Sequence, residues 1–129
     1  MQIRVYYEDT DVGGVVYYAN YLKYIERARS ELFFDKGLSP VITTDHGTAH
    51  FVVRRVEADY LSSARLGDII EIKTVVEQIK GATMILRQTI SDDKERVVFC
   101  ALVTLVFLNE TKPRRIPAFI LELFSSISR

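Results

Sequence analysis

From Gln2 to Glu8 apolar and polar positions alternate, with Ile3, Val5 and Tyr7 on one face and Arg4, Tyr6 and Glu8 on the other, so the segment predicts a strand. Residues 9 to 14, Asp-Thr-Asp-Val-Gly-Gly, interrupt it. Beyond them Tyr21, Tyr24, Ile25, Ala28 and Leu32 recur at helical spacing. They predict a helix that begins around Tyr17 to Ala19 and runs up to Gly37, a stop signal reinforced by Pro40. Its first half is aromatic or apolar around much of the circumference, which sets it against a sheet. Arg27 with Glu31, and Glu26 with Arg29, have the spacing of modest surface ion pairs.

After a polar loop at residues 39 to 47 the chain reads as strands: 49 to 61, then 69 to 79, then 82 to 90 beyond a reversal at Gly81. A Ser-Asp-Asp-Lys-Glu turn leads to residues 96 to 108, apolar on both faces and so expected to be a central strand covered on both sides. Short turns between these strands require antiparallel neighbours, because a parallel crossover needs a dozen or more residues. The segment Lys-Pro-Arg-Arg-Ile-Pro breaks the pattern, and Pro117 at a first helical position precedes a short amphipathic helix carrying Ile120, Leu123, Phe124 and Ile127. The expected architecture is α+β: one long helix against a five-stranded antiparallel sheet, plus a short C-terminal helix, in a single domain spanning residues 1–129. The second strand, flanked by loops, is a natural edge, and an exposed edge with apolar residues favours pairing with a second copy.

Composition narrows the function classes. Hydrophobic residues make up 48% and charged residues 26%, which fits an ordinary compact fold. Lys plus Arg and Asp plus Glu both total 17, so no basic field exists to hold nucleic acid. The pairs Arg54-Arg55 and Arg114-Arg115 suit either one small phosphorylated ligand or plain solvation. Cys100, the single cysteine, excludes a disulfide within the chain and sits in an apolar run, as a buried thiol would. No signal-peptide core or membrane-length apolar run is present, so the expectation is a soluble, cytoplasmic protein.

The candidate chemistry lies in residues 6 to 31, where Glu8, Asp9 and Asp11 crowd against Gly13-Gly14 ahead of the helix. Counted from Asp9 as a calcium loop, the fifth, sixth and twelfth positions are Gly13, Gly14 and Asn20; the fifth and twelfth fail. His46, His50 and Cys100 lack zinc-site spacing. A phosphatase of the Asp-x-Asp kind needs a parallel sheet, and no Gly-x-Ser-x-Gly elbow occurs. Two readings remain open. Asp9 and Asp11 build a turn and cap the helix, or a carboxylate works beside the positive end of the helix, with the glycines letting a ligand approach the backbone.

The segment "RVYYEDTDVGGVVYYANYLKYIERARSELF" resembles the N-terminal signature of the hotdog-fold thioesterases of the 4-hydroxybenzoyl-CoA type. It is most similar to the acyl-CoA thioesterases associated with the Tol-Pal envelope system of Gram-negative bacteria. The likeness is dense over residues 3 to 33 and continues more loosely through "FVVRRVEADYLSSARLGD" and the later strands. It implies an acyl-CoA thioesterase with Asp11 as the catalytic carboxylate, attacking the thioester or activating water, and the Tyr18 backbone N–H polarising the carbonyl. Gly13, Gly14, Val15 and Tyr17 would line the substrate, and Arg54, Arg55 and Arg65 would approach the CoA phosphates across a subunit interface. It further implies no metal or redox cofactor, a homodimer or dimer-of-dimers tetramer, and a link to Tol-Pal or phospholipid metabolism. Two positions depart from the family pattern: Tyr18 stands where relatives usually have His, and Ser63 where Pro is common. The competing expectation is a hotdog module that binds an acyl group or an envelope partner without turnover.

Overall fold

The computed structural model describes residues 1–45 and 47–128; His46 and Arg129 lie outside the described residues. In chain order the elements are β1 (Gln2–Arg4), a 3-10 turn (Tyr7–Asp9), α1 (Asn20–Phe34), β2 (Ile42–Thr44) and β3 (Gly47–Tyr60). Then follow β4 (Ile69–Lys80), β5 (Thr83–Ser91), β6 (Val97–Asn109), β7 (Lys112–Pro113) and α2 (Ala118–Ser125). The strands form one antiparallel sheet in the order β1-β4-β5-β6-β3-β2, with β7 pairing β6. A long helix lying in a curled antiparallel sheet is the hotdog arrangement, as expected.

Several boundaries differ from the sequence expectation. The first strand stops at Arg4 rather than Glu8, because the Tyr6 N–H donates to the Asp9 carboxylate at 2.9 Å and folds the chain into the 3-10 turn. The sheet has seven strands among the described residues instead of five. The additional two, β2 and β7, are short hairpin arms on the ends of β3 and β6. Lys112–Pro113 is thus strand rather than the end of the pattern. The second strand starts at Gly47, whose φ of 106° suits only glycine comfortably. Pro117 caps α2 from outside instead of occupying its first turn.

The helix begins at Asn20, later than expected, and closes beyond Phe34 through the Gly37 stop. Gly37 has φ 72°, and the N–H groups of Gly37 and Leu38 donate to Phe34 O and Phe33 O, each at 2.9 Å, the closure glycine permits after a helix. Tyr21, Tyr24, Ile25, Ala28 and Phe33 form its buried face. Opposite them lie Ile70, Ile72, Met84, Leu86, Ile90, Phe99, Ala101 and Val103. Tyr21 stacks on Phe99 with centroids 5.3 Å apart and planes 8° from parallel. Helix α2 closes the open end with Phe124, edge-on to Phe33 and Phe51 at 5.9 and 6.3 Å.

The register shifts at Val53/Arg55, at Val76/Gln78 and, between β5 and β6, at Ile90/Ser91, and alternation along the strand resets at each. Bulges raise local twist, which curls the long strands around α1. Strand β6 is central, as expected, but only its inner face is fully covered. Phe99, Ala101, Val103, Leu105 and Phe107 are buried, whereas Cys100, Leu102, Thr104 and Val106 remain partly exposed because one chain supplies a helix to one face alone. The ion pairs expected on α1 do not form among the described residues. Glu26 accepts from Ser30 Oγ at 2.7 Å, and Arg29 turns inward to Gln88 Oε1 at 2.9 Å. Gln88 is fully buried and donates in turn to Ile25 O and Thr74 Oγ1. No helix among the described residues is long and apolar enough to cross a membrane.

Candidate active site

Residues 9 to 17 double back into a tight hairpin. Thr10 stands opposite Val16, Tyr17 N–H donates to Asp9 O at 2.9 Å, and Asp11 N–H donates to Val15 O at 3.0 Å. At the tip, Gly14 N–H returns to Asp11 O, and Gly14 adopts φ 74°, the left-handed conformation that most residues avoid. Gly13 acts on the side chain instead, its N–H donating to Asp11 Oδ1 at 2.9 Å. One carboxylate oxygen of Asp11 is thereby fixed, while the side chain stays exposed at the turn.

A second strand of contacts clamps the hairpin to the body. Val15 bridges to Arg65, Val16 N–H donates to Ala64 O at 2.9 Å, and Leu66 N–H donates to Gly14 O at 3.0 Å. Ala64, fully buried, donates its own N–H to Tyr21 Oη at 3.0 Å, so the clamp is tied to the first turn of α1. Burial raises the Tyr21 phenol above its ordinary range. Burial, and after it the nearby Asp9 carboxylate, raise the Tyr24 phenol as well, so both phenols stay neutral; Tyr21 Oη accepts from Ala64 N–H, whereas the buried Tyr24 Oη has no hydrogen-bond partner among the described residues.

Neither carboxylate caps the helix, which removes the capping half of the simpler reading. The position before α1 is Ala19, without a side-chain cap; Asp11 serves Gly13 N–H and Asp9 serves Tyr6 N–H. The Asn20 N–H donates to Tyr17 O, while the N–H groups of Tyr18 and Ala19 take no partner among the described residues. These are the free donors at the positive end of a 15-residue helix, the place where a developing negative charge is best received. Asp11 therefore sits near the tip of the hairpin, and the Tyr18 N–H follows directly on its returning arm, which ends at Tyr17.

Arg65 comes beside this loop through its bridge to Val15. Arg54 and Arg55 do not within one chain: Arg54 lies in the bulge of β3 and Arg55 pairs with Glu57 on the outer side of the strand. Three contributors escaped the sequence reading. Asn20 Nδ2 donates to Asp9 O at 2.9 Å, Tyr21 holds Ala64, and Tyr60 closes the site edge-on to Tyr18 at 5.9 Å. The aromatic set continues from Tyr17, 4.9 Å from Tyr18, through Tyr60 to Phe99 at 5.1 Å. Only the Asn20 contact is local enough for spacing to have signalled it. Among the described residues no group of three or more His, Cys, Asp or Glu could hold a metal ion.

Fold and site together define a hotdog domain with a carboxylate-bearing hairpin at its helix N-terminus. The thioesterase superfamily model matches residues 13–99, and the chain belongs to that superfamily. The acyl-CoA thioesterase YbgC of Helicobacter pylori is 39% identical over 98% of this chain and 100% of its own length. A crystal structure described as a probable thioesterase from Bartonella henselae is 36% identical with a TM-score of 0.83, covering 91% of this chain and 97% of that one. A thioesterase from Thermus thermophilus, solved with coenzyme A and Zn, is 25% identical with a TM-score of 0.79, covering 98% of this chain and 92% of that one.

Proposed function

We propose that the protein hydrolyses an acyl-CoA thioester to the free acid and CoA, with Asp11 as the catalytic carboxylate. The observation that carries this reading is an exposed, oriented Asp11 in the hairpin together with the unclaimed N–H of Tyr18, the residue that follows the hairpin directly. The thioester carbonyl accepts from the Tyr18 N–H while its carbon faces Asp11. Asp11 then attacks that carbon or takes a proton from an attacking water. On either route the carbonyl oxygen becomes negative, the C–S bond breaks, the thiolate leaves, and water supplies the oxygen and proton that complete the acid and the thiol. A donor such as the Tyr18 N–H contributes about 100- to 1,000-fold to such a step.

Gly13, Gly14, Val15 and Tyr17 line the approach of the thioester, and Arg65 stands beside it for a phosphate. Arg54 and Arg55 serve the CoA phosphates of a neighbouring subunit, for which guanidinium geometry is suited. That neighbour pairs along the free edge of β3 beyond Ala49, where β2 ends, giving a homodimer. The partly exposed outer face of the sheet, with Ile85, Leu102 and Val106, supplies the contact for a dimer of dimers. A cytoplasmic location and a link to the Tol-Pal system or to phospholipid metabolism complete the reading; fractionation and co-purification test them.

Tyr18 in place of the usual His favours one rival, a module that holds acyl-CoA without turnover. Thiol release from short-chain, long-chain and aromatic acyl-CoAs separates the two. The expected result is equimolar acid and CoA from at least one. Saturable binding with no turnover of any would establish the rival.

A further inference from the structure

The first turn of α1 and the far end of β3 are joined by an uncovered apolar trough. On the helix, Leu22, Glu26 and Arg29 follow one another at spacings of three or four and share a face, and Tyr18, in the turn that leads into the helix, precedes Leu22 by four residues. Across from them, Tyr60, Val56 and Val53 occupy the inner side of β3, the bulge at Arg54 keeping all three on that side. Leu22, Val56 and Val53 are 39, 38 and 49% exposed, unusual for apolar side chains on an inner face. The trough ends in a cavity of about 220 Å³ walled by Phe33, Phe51, Val53, Leu105 and Phe124.

Two charged groups break that apolar wall, Arg29 and Glu26, with His50 also bordering the cavity. Arg29 gives one donor to Gln88 and has no carboxylate partner in hydrogen-bond contact among the described residues, so the rest of its guanidinium is unclaimed. Burial lowers its pKa, and the charge of nearby Glu26 opposes that shift without cancelling it. Glu26 beside it holds Ser30 Oγ and leaves acceptor capacity free. A carboxylate entering here would meet Glu26, and an alkyl end would leave the guanidinium unmatched. A hydroxyl accepts from Arg29 and donates to Glu26, and so satisfies both.

We propose that this cavity receives the far end of the acyl chain and that Arg29 and Glu26 select a hydroxyl there, which makes hydroxylated medium-to-long acyl thioesters the substrate class. The assignment rests on the thioesterase reading for the identity of the chain that enters. Glu26 and Arg29 lie about 9 and 14 Å along the helix from its start at Asn20, and Tyr18 is two residues earlier, so a chain on the order of ten carbons reaches from the thioester to the pair.

The test compares kcat/KM for dodecanoyl-CoA and ω-hydroxydodecanoyl-CoA in wild type, Arg29→Met and Glu26→Gln. Wild type should favour the hydroxylated substrate by about tenfold or more, and each variant should bring that ratio toward one. Because the readout is a ratio within one preparation, partial loss of folded protein does not distort it. Calorimetric titration with 1-octanol, which has a hydroxyl and no thioester, probes the cavity independently of turnover. Octanol binding that Arg29→Met weakens about tenfold, in a protein that hydrolyses nothing, would keep the cavity assignment and remove the thioesterase reading. A wild-type ratio near one, a ratio unchanged in both variants, or octanol binding indifferent to Arg29 would overturn the proposal.

Discussion

Replacing Tyr21 by Phe isolates the single hydrogen bond that ties the hairpin clamp to α1. The ring, 3% exposed, keeps its stack on Phe99, so packing is conserved. What disappears is the Oη that accepts from Ala64 N–H at 3.0 Å, at a residue with no exposure. A buried donor left without a partner costs about 1–3 kcal/mol. With an unfolding entropy of about 2.1 cal/mol/K per residue over this chain, that becomes a fall in Tm of roughly 4–11 °C. Thermal and urea melts followed by circular dichroism measure it, and the urea m-value should not change. Because Ala64 O holds Val16 and Leu66 holds Gly14, kcat should fall several-fold as well. A Tm shift under about 1 °C, with amide exchange at Ala64 as slow as in wild type, would refute the clamp.

Phe124→Ala removes a side chain 1% exposed that bridges Phe33 and Phe51, and urea melts should show a loss of about 3–5 kcal/mol. Asp92 accepts the N–H groups of Arg96 and Lys94 at 2.9 and 3.0 Å, and the Arg96 N–H chiefly, with Lys94 after it, holds its carboxyl below the usual range. A depressed folded pKa contributes stability above the unfolded value and loses it as pH falls. The advantage of wild type over Asp92→Asn should therefore be full above about pH 5 and vanish as pH drops below about 4, as melts across that range would show.

The elements were largely legible because their periods are strong: α1 repeats near 3.6 and β4 to β6 near 2. The misread boundaries have local causes. Asp9 captures Tyr6 N–H and ends β1 early, a competition between side chain and ladder that apolar alternation does not register. β2 and β7 are too short to show a period, and the bulges at Arg54 and Glu77 insert a residue without any composition signal. At the site, the Asp11 turn and the glycine at φ 74° were readable from Asp-Val-Gly-Gly. The roles of Ala64 and Tyr60 were not, since they depend on contacts more than 40 residues apart in the chain. Arg29 shows the same limit in another form. At spacing three from Glu26 it reads as a surface charge, yet the curl of the sheet brings Gln88 beneath it and draws it inward.

The most direct test of the account is thiol release by wild type and Asp11→Asn on the best acyl-CoA substrate. Asn retains an Oδ1 that can accept from Gly13 N–H, so the hairpin and the urea midpoint should be unchanged while the basic, nucleophilic carboxylate is lost. The account predicts a fall in kcat of about 100-fold or more at an unaltered midpoint. A variant that turns over within about twofold of wild type would contradict it.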